Sequence, residues 1–454
     1  MPTPAPASAA VRRVTTAAIA MAATLMAIVP MSPIAAQAAT AAPRTTAPRV
    51  AARTPARVPL VMGADRLFTE YPQLIRGKSV ALVSNHSGRL ANGMHLADAL
   101  HSGPGKALGV RLKALFGMEY NIRSNDYSIQ RDPEQTVDSA TGAPKYSLYG
   151  EIHKPTPEML DGVEVIVYDI QEVGARFYEH VNILGFVMEA AAEKKIPVVV
   201  LDRPNPLGGR SADGFVADSA AFYRFGSYTA IPALHGMTPA ELARFYHGER
   251  MLRGGVQGTL HVVPMKGWTR DMWLDNTGQP WNKPSPNLVA FSSLVAYAGT
   301  CLFESLNLSE GRGSDSPFEL IGAPWLDNQR AVAMLNALNL PGTRFAVDQF
   351  TPIQRPFHGR PPAFAGQSLP GIRLHVTDRA AFRPYRAGVA LMWAVNALHA
   401  DKLEWKDAVL DRLAATPRLK TMLQAGRTPQ EIFASWEPEL TRFHQRADKY
   451  RLYP

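Results

Sequence analysis

The sequence predicts an α/β protein: a Rossmann-like parallel-sheet domain over residues 61–255, followed by a smaller mixed α+β auxiliary domain over residues 256–454. Three observations predict it. Four short β-branched runs, SVALVSNHSG, VRLKALFGME, VEVIVYDIQE and IPVVVLDRPN, are apolar on both faces and end in polar residues, as buried parallel strands do. Between the third and fourth, VNILGFVMEAAAEKK carries apolar residues at helical spacing and closes on a Lys pair, so the three segments form a βαβ unit. Past residue 256 the strands shorten (TLHVVPM, IRLHVTD) and the loops fill with Pro, and RAGVALMWAVNALHA and TPQEIFASWEPELTRFHQRADKY read as helices.

The chain begins outside this fold. Arg12 and Arg13 precede the apolar run AAIAMAATLMAIVPM and small residues around AAQAA, the layout of a secretory signal peptide cut after Ala38. Pro30 and Pro33 break the run short of the about 20 apolar residues a membrane anchor needs. Residues 39–60 combine Ala, Pro, Thr and Arg without an acid and read as a disordered linker. The expectation is an exported protein, periplasmic or secreted, with no membrane span after cleavage. Residues 1–60 hold six Arg and no Lys or acid, so of the formal charge of +9 just +3 falls on residues 61–454. The basic pI of about 9.6 therefore does not point to a nucleic-acid partner. The single cysteine, Cys301, excludes an internal disulfide and a Cys-based zinc site, and its apolar context reads as a buried inert thiol. The oligomeric state is not legible.

Within the fold, HGMTPAELARFYHGERML predicts a helix with Thr238 as N-cap, Pro239 in its first turn and Glu241 closing a capping box. Ligands of open parallel sheets bind outside the carboxyl ends of the strands. Those ends carry Asn85-His86-Ser87, Glu119, Asp169-Ile170-Gln171 and Asp202-Arg203-Pro204-Asn205, which predicts a polar pocket. No Gly-x-Gly-x-x-Gly follows the first strand and no phosphate loop occurs, which argues against a dinucleotide or nucleoside triphosphate. His86, His180 and His235 are scattered without helical pairing, so neither a metal nor another cofactor is expected. The lack of a Gly-x-Ser-x-Gly elbow argues against a serine hydrolase. Glycoside hydrolysis fits what is left, since it needs one acid and a group that stabilises an oxocarbenium ion. Glu119, Asp169, Glu304 and Glu310 are the candidate carboxyls, and Arg123, Arg176, Arg203 and Arg312 the candidate forks for a substrate carboxylate.

Longer motifs carry a family likeness. LVSNHSG, FGMEYNIR, KYSLYGEIHKPTPEML, YDIQEVGARFYEHV, LDRPNPLGG, IPALHGMTPAELA, WNKPSPNL, FESLNLSEGRGSDSPFELIGAPW and YRLYP occur in this order. Over nearly all of residues 61–454 the chain resembles the exo-β-N-acetylmuramidases of the NamZ type. The resemblance implies an active cleft between two domains and release of N-acetylmuramic acid from non-reducing ends of peptidoglycan fragments or muropeptides. It lays the family's Phe-Gly-Pro-Glu-His-Gly-Ile-Arg-Gly on FGMEYNIRS, with the acid on Glu119 and the Arg on Arg123. Met118, Tyr120, Asn121 and Ser124 depart from that segment, and Glu172 replaces the usual Asp. A Tyr does not exchange protons near neutral pH as His does. This sets a diverged, non-catalytic muropeptide-binding protein beside the enzyme reading. NLSEGRGS matches the family's Asn-x-Ser-Glu-Gly-Arg-Gly-Thr loop. Here Glu310 is expected to face Glu119 across the cleft, with Asn307 and Ser309 orienting and Arg312 supplying charge. Asp169 completes the expected catalytic set. Asn85, Arg123, Gln171, Arg176, Tyr178, Asp202, Arg203, Asn205, His235 and Asn287 are the other expected substrate contacts, with Arg203 or Arg312 favoured for the lactyl carboxylate.

Overall fold

The computed structural model describes residues 59–120, 122–123, 136–210, 212–224, 226–356 and 361–454. The expected signal peptide, nearly all of the expected linker, Asn121 and Ser124 lie outside the described residues.

Among the described residues up to Val263 there are nine strands: β1 (Ser79–Ser84), β2 (Arg111–Gly117), β3 (Thr136–Val137), β4 (Pro144–Ser147), β5 (Val165–Asp169), β6 (Val198–Leu201), β7 (Asp213–Val216), β8 (Pro232–Leu234) and β9 (Leu260–Val263). β7 and β8 pair as a separate antiparallel hairpin. The other seven form one sheet in the order β3-β4-β2-β1-β5-β6-β9, parallel except for the β3 edge. The four apolar runs of the sequence are β1, β2, β5 and β6. The sheet draws its last strand, β9, from beyond residue 255.

Alternation along each strand feeds two cores. Ala81 and Val83 of β1 face the layer built by the helices His180–Lys194 and Pro239–Gly248. Val80 and Leu82 face the layer of Ala64, Leu67, Leu96 and Leu100. Both faces are thus covered, as a parallel sheet requires. Thr238 and Glu241 close the expected capping box. The chain runs from β1 to β2 on one side and later returns to β5 on the other side of β1. The carboxyl ends of β1 and β5 lie side by side at this reversal, the place where open parallel sheets bind their ligands.

Further on, β10 (Leu320–Gly322), β11 (Thr343–Phe350) and β12 (Leu369–Val376) form an antiparallel sheet in the order β10-β12-β11. The helices Phe291–Thr300 and Pro384–His399 pack backbone to backbone here. A Cβ on Gly299 would stand 1.9 Å from the carbonyl oxygen of Pro384, so glycine is required. The helix Pro429–Ala447 joins two cores: Ile432, Phe433, Trp436 and Leu440 pack with Leu294, Ile321, Ile372 and Val389, whereas Phe443 and Ala447 pack in the layer that holds Ala81 and Val83. The chain end then returns to the sheet's carboxyl edge. Tyr453 donates its hydroxyl to Asp202, and Arg270 N donates to the Pro454 carbonyl at 3.0 Å. No helix among the described residues is long and apolar enough to cross a membrane.

Candidate active site

Three strand ends converge on one turn. His86, after β1, sets Nε2 2.8 Å from the Lys283 carbonyl oxygen. Tyr178, beyond β5, donates its hydroxyl to the Pro284 carbonyl at 2.8 Å. Tyr120, after β2, places its hydroxyl 3.3 Å from Ser285 Oγ. The motif WNKPSPNL therefore ties these three strand ends together. Pro284 and Pro286 hold it away from regular structure, which leaves its carbonyls to accept side-chain donors. Asn287 is buried at its end.

Glu119 follows β2 directly behind buried Met118. Tyr149, after β4, donates its hydroxyl to Glu119 Oε1 at 3.3 Å. Burial raises the Glu119 pKa; the Tyr120 and Tyr149 hydroxyls oppose the rise, the Glu304 charge adds to it and Arg312 opposes it. The balance is upward, towards the protonated acid. Burial, then the Glu119 charge, push the Tyr120 phenol well above its usual range, so it is neutral at physiological pH.

The opposing charges come from the loop that ends in β10. Arg312 binds Glu310 Oε1 through Nε at 2.8 Å and Glu304 Oε1 through a terminal nitrogen at 2.9 Å. Burial works against this guanidinium's charge, but Glu310 and Glu304 outweigh it and raise its pKa. Gly311 makes the fold-back possible. Its φ is 75°, and a Cβ there would lie 2.9 Å from the Leu320 carbonyl oxygen. Ser309 pairs through its backbone with Gly322, and its hydroxyl accepts from Gly311 N at 3.3 Å. Glu310 is thus tied within its own loop, and the charges of this loop that weigh most on Glu119 are Glu304 and Arg312.

Several of the expected contacts are held by partners within the protein. Asp169 holds Arg203 with both oxygens, at 2.6 and 2.9 Å, and both side chains are buried. That pairing removes Asp169 from the free acids and Arg203 from the free forks. Arg176 is fully buried and spends its guanidinium on the carbonyls of Gly226, Leu413 and Ala414, where desolvation lowers its pKa to about 10. Arg123 is clamped by Asp98 and Asp138. Asp202 accepts from Thr238 Oγ1, Ala240 N and Tyr453, and burial pushes its pKa up to about 7. Asn205 braces Met237 and Leu207, Gln171 reaches the Pro204 carbonyl, and Asn85 accepts from Ser87. Asn307 ties to Lys402 and Glu404, and buried His235 stands 3.5 Å from Glu172. The structure therefore brings together Glu119, Tyr178, Glu310 and Arg312 of the expected set, with Glu304. A cavity of about 310 Å³ opens elsewhere, lined among others by Asn205, Trp273, Arg379 and Arg383. None of the candidate carboxyls lines it.

The sequence reading missed two charged groups here. Arg412 stands 4.0 Å from Glu304 Oε2, a loose pair with a partly exposed guanidinium. Glu179, the N-cap residue of the helix His180–Lys194, is 6% exposed, and burial, then the Glu119 charge, push its pKa up to about 8. Its neighbour Tyr178 was singled out, but an acid at a helix N-terminus reads locally as a dipole partner.

Family models described as exo-beta-N-acetylmuramidase NamZ, N-terminal, and exo-beta-N-acetylmuramidase NamZ, C-terminal, match residues 80–292 and 295–453. The chain is 36% identical over 400 residues to the peptidoglycan beta-N-acetylmuramidase NamZ of Bacillus subtilis (strain 168), covering 88% of this chain and 92% of that protein. Two crystal structures of DUF1343 family proteins from Bacteroides fragilis share the fold. The first is 31% identical with a TM-score of 0.79, covering 88% of this chain and 100% of the other. The second is 28% identical with a TM-score of 0.69, covering 87% and 99%.

Proposed function

Since the chain belongs to the NamZ family of exo-β-N-acetylmuramidases, we propose that it hydrolyses the glycosidic bond of a non-reducing-end N-acetylmuramyl residue in peptidoglycan fragments. The observation that carries this reading is Glu119, a desolvated carboxyl at a strand's carboxyl end whose pKa is raised. A protonated carboxyl of that kind is what the leaving oxygen needs. The Tyr149 hydroxyl orients it. The Glu304–Arg312–Glu310 group sets a fixed charge pattern beside the reacting carbon, where positive charge develops. Tyr120, held neutral, serves as a hydrogen-bonding phenol in the place of the family's His and leaves proton donation to Glu119. For the lactyl carboxylate we assign Arg412, whose loose pairing leaves its fork able to turn to a ligand. The Arg12–Ala38 layout supports export, so the reaction is assigned to cell-wall turnover outside the cytoplasm.

The test is incubation of the purified chain with 4-nitrophenyl β-N-acetylmuramide and the matching glucosaminide. Release of nitrophenol from the muramide, and much less from the glucosaminide, is expected. Binding of the muramide without any release would replace hydrolysis with the non-catalytic muropeptide-binding reading that Tyr120 motivates.

A further inference from the structure

We propose that the cavity of about 310 Å³ beside Asn205 and Trp273 is a second ligand site, which takes a carboxylate-bearing sugar and holds its charge on Arg383. The proposal deepens the hydrolase reading and rests on it for the source of that ligand, the carboxylate being that of a muramyl lactyl group or of a peptide attached to it. The cavity stands at the carboxyl edge of the parallel sheet, where open α/β sheets bind their ligands. Gly174 of its lining follows β5, and Asn205 and Gly208 follow β6. Arg383 and Pro384 bring the head of the helix Pro384–His399 to the same space. Arg270 fixes two of the segments around it: 6% exposed, it donates to the carbonyls of Gly209 and Gly236 at 3.0 and 3.2 Å. The volume lies at the low end of the about 300–1,000 Å³ of small-molecule sites, room for a single sugar and not for a glycan chain. None of Glu119, Glu304, Glu310 and Arg412 lines it, so its occupant and the scissile bond are held by different side chains.

The charged groups of the lining single out Arg383. Arg210 reaches Asp271 at 2.6 Å, Arg379 reaches Asp275 at 2.5 Å, and Arg270 binds Glu241. Asp213 is buried and turned to Arg386, whose Nε lies 3.2 Å from its Oδ1. Arg383 has no carboxylate partner among the described residues. Its Nη1 donates to the carbonyls of Ala380 and Phe382 at 3.1 and 3.0 Å, which fixes the guanidinium plane. Nε and Nη2, the edge that grips a carboxylate through two parallel bonds, make no hydrogen bond among the described residues. The helix gives this cation no local support either. Arg383 is the N-cap residue of a 16-residue helix with no acid in its first turn, and the dipole at that end favours an anion. A bound carboxylate supplies what the helix itself does not. Trp273 lines the same cavity with an Nε1–H that makes no hydrogen bond among the described residues, and Leu207 and Phe382 add apolar surface. A carboxylate on Arg383, a hydroxyl on Trp273 and an apolar ring face on Leu207 and Phe382 describe an acidic sugar better than a bare inorganic anion.

Calorimetric titration of the full chain tests this with three probes, N-acetylmuramic acid, N-acetylmuramyl dipeptide and N-acetylglucosamine, in wild type, Arg383→Ala and Arg383→Gln. Crystals of wild type soaked in N-acetylmuramic acid locate the bound sugar. Wild type should show a binding event for N-acetylmuramic acid that is at least about tenfold weaker in either Arg383 variant and for N-acetylglucosamine, which lacks the carboxylate. The soaked crystal should hold the carboxylate on Arg383. On the 4-nitrophenyl muramide, kcat of both variants should stay within about twofold of wild type. The dipeptide, whose lactyl carboxyl is closed in an amide, separates the two sources. Loss of Arg383-dependent binding with it assigns the lactyl group, and retention assigns the peptide's terminal carboxylate. Binding of both acidic probes that neither Arg383 variant alters would overturn the site, as would sugar found in the crystal away from this cavity. If the variants do not fold, the wild-type comparison of acidic with neutral sugar and the soaked crystal decide. Arg383-dependent binding in a chain that never cleaves the muramide would keep the site and sink the hydrolase reading, and cleavage without such binding would do the reverse.

Discussion

Replacing Glu119 with Gln isolates the proton from the rest of the site. The amide keeps the side chain's volume and still offers an oxygen to the Tyr149 hydroxyl, which donates to Oε1 at 3.3 Å. It removes the acid whose pKa burial raises. Losing a positioned general acid costs about 10²–10⁴ in rate, which at 1.36 kcal/mol per tenfold is about 2.7–5.5 kcal/mol of barrier. The size of the loss must depend on the leaving group. A nitrophenolate departs with little help, whereas a sugar hydroxyl needs the proton. The assay is therefore kcat on the 4-nitrophenyl muramide and on a muramyl disaccharide. At least a hundredfold loss is expected on the disaccharide and a loss at least about tenfold smaller on the aryl substrate. Urea unfolding should show no loss of stability near neutral pH, because the folded wild type holds a proton on a desolvated carboxyl that ionises freely once unfolded, a cost the Gln variant does not carry. Equal losses on both substrates, or kcat within a few-fold of wild type, would refute the assignment. A change confined to KM would make Glu119 a binding group.

Tyr149→Phe removes a hydroxyl that favours the charged form of Glu119, so the Glu119 pKa should rise further and the alkaline limb of kcat/KM should move up; an unmoved or lowered limb contradicts the proposed contact. Arg412→Ala should narrow the preference for muramide over glucosaminide by about tenfold or more, since a hydrogen bond to a charged group is worth about 1.5–3 kcal/mol; an unchanged ratio places carboxylate recognition elsewhere. Asp202, pushed up to about 7 by burial, binds its proton more tightly folded than unfolded. Its contribution is fully present below about pH 4, the unfolded carboxylate value, and is lost as pH rises through about 7. Glu179, raised to about 8, acts in the same direction. Asp202→Asn should therefore flatten the decline of unfolding free energy over that window, whatever its effect on absolute stability, and an identical slope refutes the linkage.

The parts of the fold legible in the sequence are those whose pattern is local. β1, β5 and β6 are buried along their whole length, so their apolar runs carry no alternation to misread. The helix at Pro239 announces itself through Thr238 and Glu241. β3 and β4, TV and PKYS, were illegible because short polar strands owe their pairing to the neighbouring sheet and not to their own periodicity. The return of Tyr453 to Asp202 was illegible too, since no local pattern encodes a partner in a strand end far up the chain.

The site was legible as a list of residue types and illegible as a set of roles. Polar residues stand at each strand end, as expected, yet most turn inward. A carboxylate that holds two elements together and one that meets substrate have the same letter; the partner decides. Asp169 finds Arg203, and Asp202 finds Thr238 and Tyr453, so both are consumed by the scaffold. Glu310 and Glu304 could not be ranked from sequence, because the ranking depends on where Gly311 turns Arg312. Glu179 shows the same limit from the other side. Its sequence setting, an acid heading a helix, predicts a charged and solvated group. The turn at Lys283–Ser285, about a hundred residues on, binds Tyr178 and Tyr120, the chain neighbours of Glu179 and Glu119. What the motif WNKPSPNL encodes is therefore a meeting point for His86, Tyr178 and Tyr120 from three strand ends, and its own letters do not name those partners.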